Sequence, residues 1–128
     1  MFGNSGNNRI DGRAGNDTLY GGAGTDTFVF STTPTSANID EILDFAVAQD
    51  KIELSRSMFT ALNAGSSLNA SAYRVGSTAL DADDRVIYEI STGGLFYDSD
   101  GNGAALQIQF ATLDANLPLA STHFVLVA

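Results

Sequence analysis

Twice in succession the chain runs Gly-x-Ala-Gly-x-Asp-Thr, in GRAGNDTLY (residues 12–20) and GGAGTDTFV (residues 21–29), and a looser copy, GNSGNNRID (residues 3–11), precedes them. Each nonapeptide has glycine at positions one and four, an apolar residue at position eight (Ile10, Leu19, Phe28) and Asn8, Asp17 or Asp26 at position six. Glycine tolerates the sharp turns that bring carbonyl oxygens together, and an aspartate closing each turn adds negative charge to that cluster. Crowded oxygens repel one another unless a hard cation such as Ca²⁺ sits among them. These residue types at this spacing therefore point to oxygen-only metal binding, with folding conditional on metal. A metal-free Gly/Asp-rich loop is the plainer reading, and repetition in register disfavours it.

A period of nine fits neither a helix nor a simple strand alternation. It suits a coil that alternates a tight six-residue turn with a three-residue strand, the position-eight side chain pointing inward.

The rest of the composition narrows the chemistry. At 128 residues the chain is expected to be one domain or a piece of a longer protein, and it lacks cysteine, so any metal must be held by oxygen. Fifteen acids against six bases give a net charge of -9, which argues against nucleic acid and anionic membranes as partners and in favour of cations. No apolar run is long enough to span a bilayer, and the first residues lack the basic and apolar regions expected of a cleaved secretory signal. His123 is the only histidine, so neither an HExxH zinc site nor a Ser-His-Asp or Cys-His arrangement is available, and a non-catalytic role is expected.

The second and third nonapeptides resemble the GGxGxDxUx repeat of the repeats-in-toxin (RTX, haemolysin-type calcium-binding) proteins. The resemblance implies an all-β fold: a short parallel β-roll with Ca²⁺ between repeats i and i+2, stacked on a β-rich, meander- or sandwich-like C-terminal cap. It also implies ligands: backbone oxygens at positions two and four and the position-six side chain of one repeat, facing positions one, three and six of the other. Carried onto this chain, one site would use the carbonyls of Asn4 and Gly6 with the side chain of Asn8, facing the carbonyls of Gly21 and Ala23 with the carboxylate of Asp26. Asn8 puts a neutral amide where the pattern has a carboxylate, so this site is expected to be the weaker. The second site would start from the carbonyls of Arg13 and Gly15 and the carboxylate of Asp17, with no fourth repeat to close it. DEILDF (residues 40–45) resembles the D-x-I-x-D-F segment that follows the last repeat in serralysin-type secreted proteases. Asp40 is accordingly expected to close the second site, ahead of Asp44, with a solvated turn acid as the alternative.

Beyond the repeats, strands are expected around residues 41–45 and 51–54, with Ile42, Phe45, Ile52 and Leu54 in the core, and one or two helical turns over residues 56–63 carrying Met58, Phe59 and Leu62 on one side. DRVIYEI, LFYD and ALQIQFA, separated by Gly-rich turns, read as a meander of about three strands. Residues 98–103, DSDGNG, read as a hairpin turn in preference to an EF-hand loop, and the acids Asp81, Asp83 and Asp84 as a solvated loop with a minor claim to metal. The tail THFVLVA resembles the C-terminal signal of type I secretion substrates, with Phe124, Val125, Leu126 and Val127 as its apolar part and His123 where an acid is expected. It reads equally as a final edge strand. The expected division is a truncated β-roll over residues 1–38 and a cap over residues 39–128. Met1 and Phe2 fit positions eight and nine of a preceding repeat, as in the C-terminal part of a larger polypeptide.

These features imply a calcium-binding folding and secretion module of an extracellular protein, with calcium and the type I secretion apparatus as partners. The competing expectation is a recognition module for a polysaccharide or cell surface, disfavoured by the few basic residues. A weaker third is self-association through the cap.

Overall fold

Short apolar and β-branched runs placed directly after tight turns make short strands, and the length of each turn decides which sheet the next strand joins. The computed structural model describes residues 2–13, 15–32, 38–62, 65–76, 84–99 and 107–127, and among them the chain is all-β with two short 3₁₀ turns. The strands β1 (Arg9–Asp11), β2 (Thr18–Leu19), β3 (Thr27–Phe30), β4 (Asp40–Ile42) and β5 (Lys51–Ser55) alternate between two sheets. Each pairs in parallel with the strand one full coil later: β1 with β3, β3 with β5, β2 with β4.

This β-roll outlasts the glycine repeats. After an excursion through β6 (Tyr73–Val75), β7 (Val86–Glu89) and β8 (Gly94–Tyr97), the chain returns. β9 (Ile108–Thr112) pairs in parallel with β4, and β10 (Phe124–Val127) in parallel with β5. The result is a four-stranded sheet, β1-β3-β5-β10, and a six-stranded sheet, β2-β4-β9-β8-β7-β6. β7, β8 and β9 form the antiparallel meander expected from sequence, and β9 joins it to the roll. Strands from either side of residue 38 share both sheets.

Parallel pairing stacks equivalent positions. Ile10, Phe28, Ile52 and Phe124 stand in one register row, Phe30, Leu54 and Leu126 in another, and Leu19 pairs with Ile42 in the second sheet. All are buried in a single cluster that takes in both sheets. Phe30 meets Phe110 edge-on, and Phe110 and Tyr97 meet Phe59 in the same way, so aromatic rings tie roll to meander. On the outer surface, the Arg9 guanidinium donates to the Glu53 carboxylate, joining β1 to β5 across β3 beside the buried Val29.

Three local expectations are corrected. Residues 56–62 make turns, with Phe59 N–H donating to Ser55 O at 2.8 Å, and no helix. Phe59 and Leu62 are buried but Met58 is exposed, because one helical turn does not continue far enough to carry all three inward. β4 ends at Ile42, and Phe45 is buried from the turn that follows. Of the acids set aside as loop residues, Asp84 and Asp98 are buried; Asp81, Asp83 and residues 100–103 lie outside the described residues, as do Met1 and Asn63. No helix among the described residues is long and apolar enough to cross a membrane.

In the tail, Phe124 and Leu126 point inward and Val125 and Val127 are half-buried. Phe124→Ala should cost about 3–5 kcal/mol of folding stability, measured by urea denaturation, since it empties a fully enclosed aromatic position. An unchanged midpoint would mean that β10 is not part of the fold.

Candidate metal centre

Neighbouring coils are held together by side chains that accept backbone N–H groups from coils two turns away. At position six, Asn8 N–H donates to Asp26 Oδ1 at 2.9 Å, Asp26 N–H to Asp50 Oδ1 at 3.0 Å, and Asp17 N–H to Asp40 Oδ1 at 3.0 Å. At position five the direction reverses: Thr25 N–H donates to Asn7 Oδ1 at 2.8 Å and Ile39 N–H to Asn16 Oδ1 at 2.7 Å. Asn38 Oδ1 accepts from Gly15 N–H at 2.8 Å. Two columns result, Asn8-Asp26-Asp50 leading into the four-stranded sheet and Asp17-Asp40 into the other.

Glycine serves two purposes in these turns. Positions two and four of the second and third turns have left-handed backbones: Arg13 at φ 60°, Gly15 at 102°, Gly22 at 81° and Gly24 at 88°. Arg13 stands there without glycine's freedom, its N–H held by Asp11 Oδ1 at 2.8 Å. Position one needs space instead. A Cβ on Gly21 would come 2.5 Å from Asp26 Oδ2, and one on Gly12 would come 2.8 Å from Asp17 Oδ2 and 3.2 Å from Asp40 Oδ2. The carboxylates lie against bare backbone.

The second oxygens of these acids carry the chemistry. Asp17 Oδ2 and Asp26 Oδ2 are buried with no hydrogen-bond partner. A buried acceptor left unpaired costs about 1–3 kcal/mol, and more if charged, so each position is built for something that is not an N–H donor. Burial, opposed by the Asp17 N–H bond and reinforced by the Asp17 and Asp11 charges, pushes the Asp40 carboxyl up to about 6. Burial also raises Asp50, against the N–H bonds from Ala46 and Asp26. Among the described residues no group of three or more acids or histidines is gathered tightly enough to hold a metal by side chains alone. A cation there would need backbone carbonyls as well, and an oxygen-only donor set of carboxylates and carbonyls suits Ca²⁺.

The expected ligands fall into place unevenly. Asp17 and Asp40 are brought together over the bare face of Gly12, the glycine that opens the turn carrying Arg13 and Gly15. Asp26 is joined to Asn8, and a Cβ on Gly3 would collide with both the Gly21 carbonyl oxygen and Asn8 Oδ1, so both oxygens border the space over Gly3. Asn4 O and Gly6 O press on the third turn, 2.7 Å from where a Cβ on Gly22 or on Gly24 would stand. Ala23 is exposed in that turn. Asn8 is already engaged within its own coil: its Oδ1 accepts from Asn4 N–H at 2.8 Å and its Nδ2 donates to Asn4 Oδ1 at 3.1 Å. The first site thus has one carboxylate, Asp26, where the second has two, Asp17 and Asp40.

Sequence reasoning passed over Asp50, Asn7, Asn16 and Asn38. A signal for Asp50 was present: Asn8-Arg9-Ile10, Asp17-Thr18-Leu19, Asp26-Thr27-Phe28, Asp40-Glu41-Ile42 and Asp50-Lys51-Ile52 are one acid-or-amide, any, apolar triplet repeated where each coil enters its strand.

Residues 1–30 match the family model of the RTX calcium-binding nonapeptide repeat, four copies. The N-terminal segment therefore carries calcium-binding repeats of the RTX type. No curated protein and no solved structure matches the chain.

Because the folded Asp40 carboxyl titrates at about 6 against an ordinary 3.8, its contribution to metal-free stability is full below about pH 4 and lost as pH rises through 6. In chelator, stability should fall by about 3 kcal/mol in all between pH 3 and 7, a little under half of it above pH 5, and Asp40→Asn should flatten that slope. A metal-free protein whose stability rises over this interval would contradict the assignment of Asp40 to a buried position beside Asp17.

Proposed function

We propose, from the premise that residues 1–30 are RTX calcium-binding repeats, that the chain is a non-catalytic, calcium-coupled folding module of a secreted polypeptide. In this reading the turns of residues 1–38 hold the cations, with Asp40 added from residues 39–128, which otherwise cap the coil. The carrying observation is the pair of buried, unpartnered oxygens, Asp17 Oδ2 and Asp26 Oδ2, one in each column. Asp17 and Asp40 with the carbonyls of Arg13 and Gly15 would hold one ion. Asp26 and Asn8 with the carbonyls of Asn4, Gly6, Gly21 and Ala23 would hold the other, more weakly because Asn8 is neutral and already hydrogen-bonded.

Bound Ca²⁺ supplies the positive charge that lets these oxygens stay together. Without it the turns carry part of an overall charge of -9 and resist closure. Sites of the extracellular class bind at about 10⁻⁴ to 10⁻³ M, and tenfold saturation of one site adds about 1.4 kcal/mol. Two such sites shift the folding equilibrium by roughly a hundredfold between a calcium-poor cytosol and a calcium-rich exterior. A chain open inside and closed outside suits export through a type I apparatus. The apolar residues of β10 would be available to that apparatus only before the strand docks on β5.

A Ca²⁺ titration followed by circular dichroism and calorimetry, with Mg²⁺ as control, tests this. Millimolar Ca²⁺ should raise the melting temperature of the native protein, Mg²⁺ should not, and Asp17→Asn with Asp26→Asn should abolish the rise. Stability indifferent to both calcium and chelator would overturn the proposal.

A further inference from the structure

Asp44, the second choice for closing the Asp17 site, lies in the other column. Its carboxylate accepts two consecutive backbone N–H groups of the third turn, from Gly21 to Oδ1 at 2.8 Å and from Gly22 to Oδ2 at 2.9 Å. Consecutive N–H groups converging on an anion form a nest, occupied here by a carboxylate from the same chain.

The consequence follows from the planar trans peptide, in which C=O and the next N–H point in opposite directions. None of the described peptide bonds is cis. Gly21 N–H points to Asp44 in the fifth turn, and Tyr20 C=O, across the same peptide plane, accepts from Gly3 N–H in the first turn at 2.7 Å. By the same geometry, Gly22 N–H held by Asp44 turns Gly21 C=O toward the first turn. There the Gly21 oxygen and Asn8 Oδ1 border the same space over Gly3. The Gly21 carbonyl is one of the oxygens assigned to the Asn8–Asp26 cation.

We propose that Asp44 is a positioning residue for this first cation site, acting through the peptide between Gly21 and Gly22 without touching the ion. This rests on the calcium reading above. A hydrogen bond to a charged group is stronger than a neutral one, so losing it frees the peptide to rotate and costs the site an aimed oxygen.

The test is calorimetric Ca²⁺ binding in an Asp17→Asn background, which leaves only the first site intact. There Asp44→Ala should weaken binding by about tenfold, equivalent to about 1.4 kcal/mol, and Asp44→Asn, which keeps one acceptor, by less. The Gly22 amide proton resonance should move upfield in both variants. Glu53→Gln, which breaks the Arg9 ion pair on the outer face, serves as the stability control: it should lower the metal-free melting temperature while leaving Ca²⁺ affinity within about twofold. Unchanged affinity in Asp44→Ala overturns the proposal, as does an equal loss in Glu53→Gln. If Asp44→Ala does not fold, Asp44→Asn decides by the same criteria. Failure of the calcium reading itself would show separately, as absent binding in the native protein and the Asp17→Asn parent before Asp44 is changed.

Discussion

A carboxylate has two oxygens, and in these turns the backbone provides for only one of them. Asp26 Oδ1 takes the N–H of Asn8, and Oδ2 is left buried without a donor. Asp17 likewise has a buried, unpartnered Oδ2 beside the glycine that opens its own turn. That unmet oxygen is what the proposed cation would satisfy, and what sets the turn apart from an ordinary loop. It also explains why position one must be glycine: the carboxylate occupies the volume where a Cβ would be. Asp50 shows the opposite case, a position-six acid in the same column with both oxygens satisfied by backbone N–H groups, from Asp26 at 3.0 Å and Ala46 at 2.8 Å. It closes its column without needing a cation.

Much of this was legible in the residues. The nonapeptide period, the inward position-eight side chains and the three-strand meander follow from local pattern, because each depends on spacing within a few residues; the approach of Asp40 to Asp17, 23 residues away, came only from the resemblance of DEILDF to the segment that follows RTX repeats. The return of β9 and β10 to the roll was not legible. A parallel strand needs no turn signal at its partner's end, and the partners Ile52 and Phe124 are far apart in the chain, so nothing local records that they share a register row. The continuation through Asp50 was obscured for a different reason. The glycine period ends with the third nonapeptide, but in the fourth and fifth coils the acid-x-apolar triplet persists without it.

The persistence of the triplet without the glycines marks a change in how coils are joined. In the first three coils, asparagine and aspartate side chains reach between turns whose backbones lie in contact, as the closeness of Gly22 and Gly24 to the first-turn carbonyls shows. Apolar burial runs through all the coils, with Leu19 and Phe28 as fully enclosed as Ile42, Ile52 and Leu54, and from the third coil on the rings of Phe30, Phe59, Phe110 and Tyr97 lock the sheets to the meander. At about 25 cal/mol per Å² of apolar surface, a buried aromatic or leucine stabilises by some 1.5–3 kcal/mol, comparable to a saturated calcium site in the extracellular range.

Stability is therefore graded along the coil. β5 lies between β3 and β10, and β4 between β2 and β9, whereas β1 and β2 each have a single strand partner and end in the exposed Phe2, stacked on Tyr20. Local opening free energy follows buried contact and paired edges, so the coils nearest residue 2 open most readily. Asp17, with one of the unpartnered oxygens, belongs to the second of these coils, and Asp26, with the other, to the third turn, which receives the first coil directly through the Asn8 N–H. A cation there acts on the part of the molecule with the least intrinsic stability, where each kilocalorie changes the open population most visibly, while the capped end supplies a surface on which the third turn is already held by Asp44 and Asp50. The Arg9–Glu53 ion pair spans the two regimes, tying the first coil to the fifth, but a partly exposed pair contributes at most about 1 kcal/mol and weakens with salt. It biases the open coil toward closure without relieving the oxygens that oppose it.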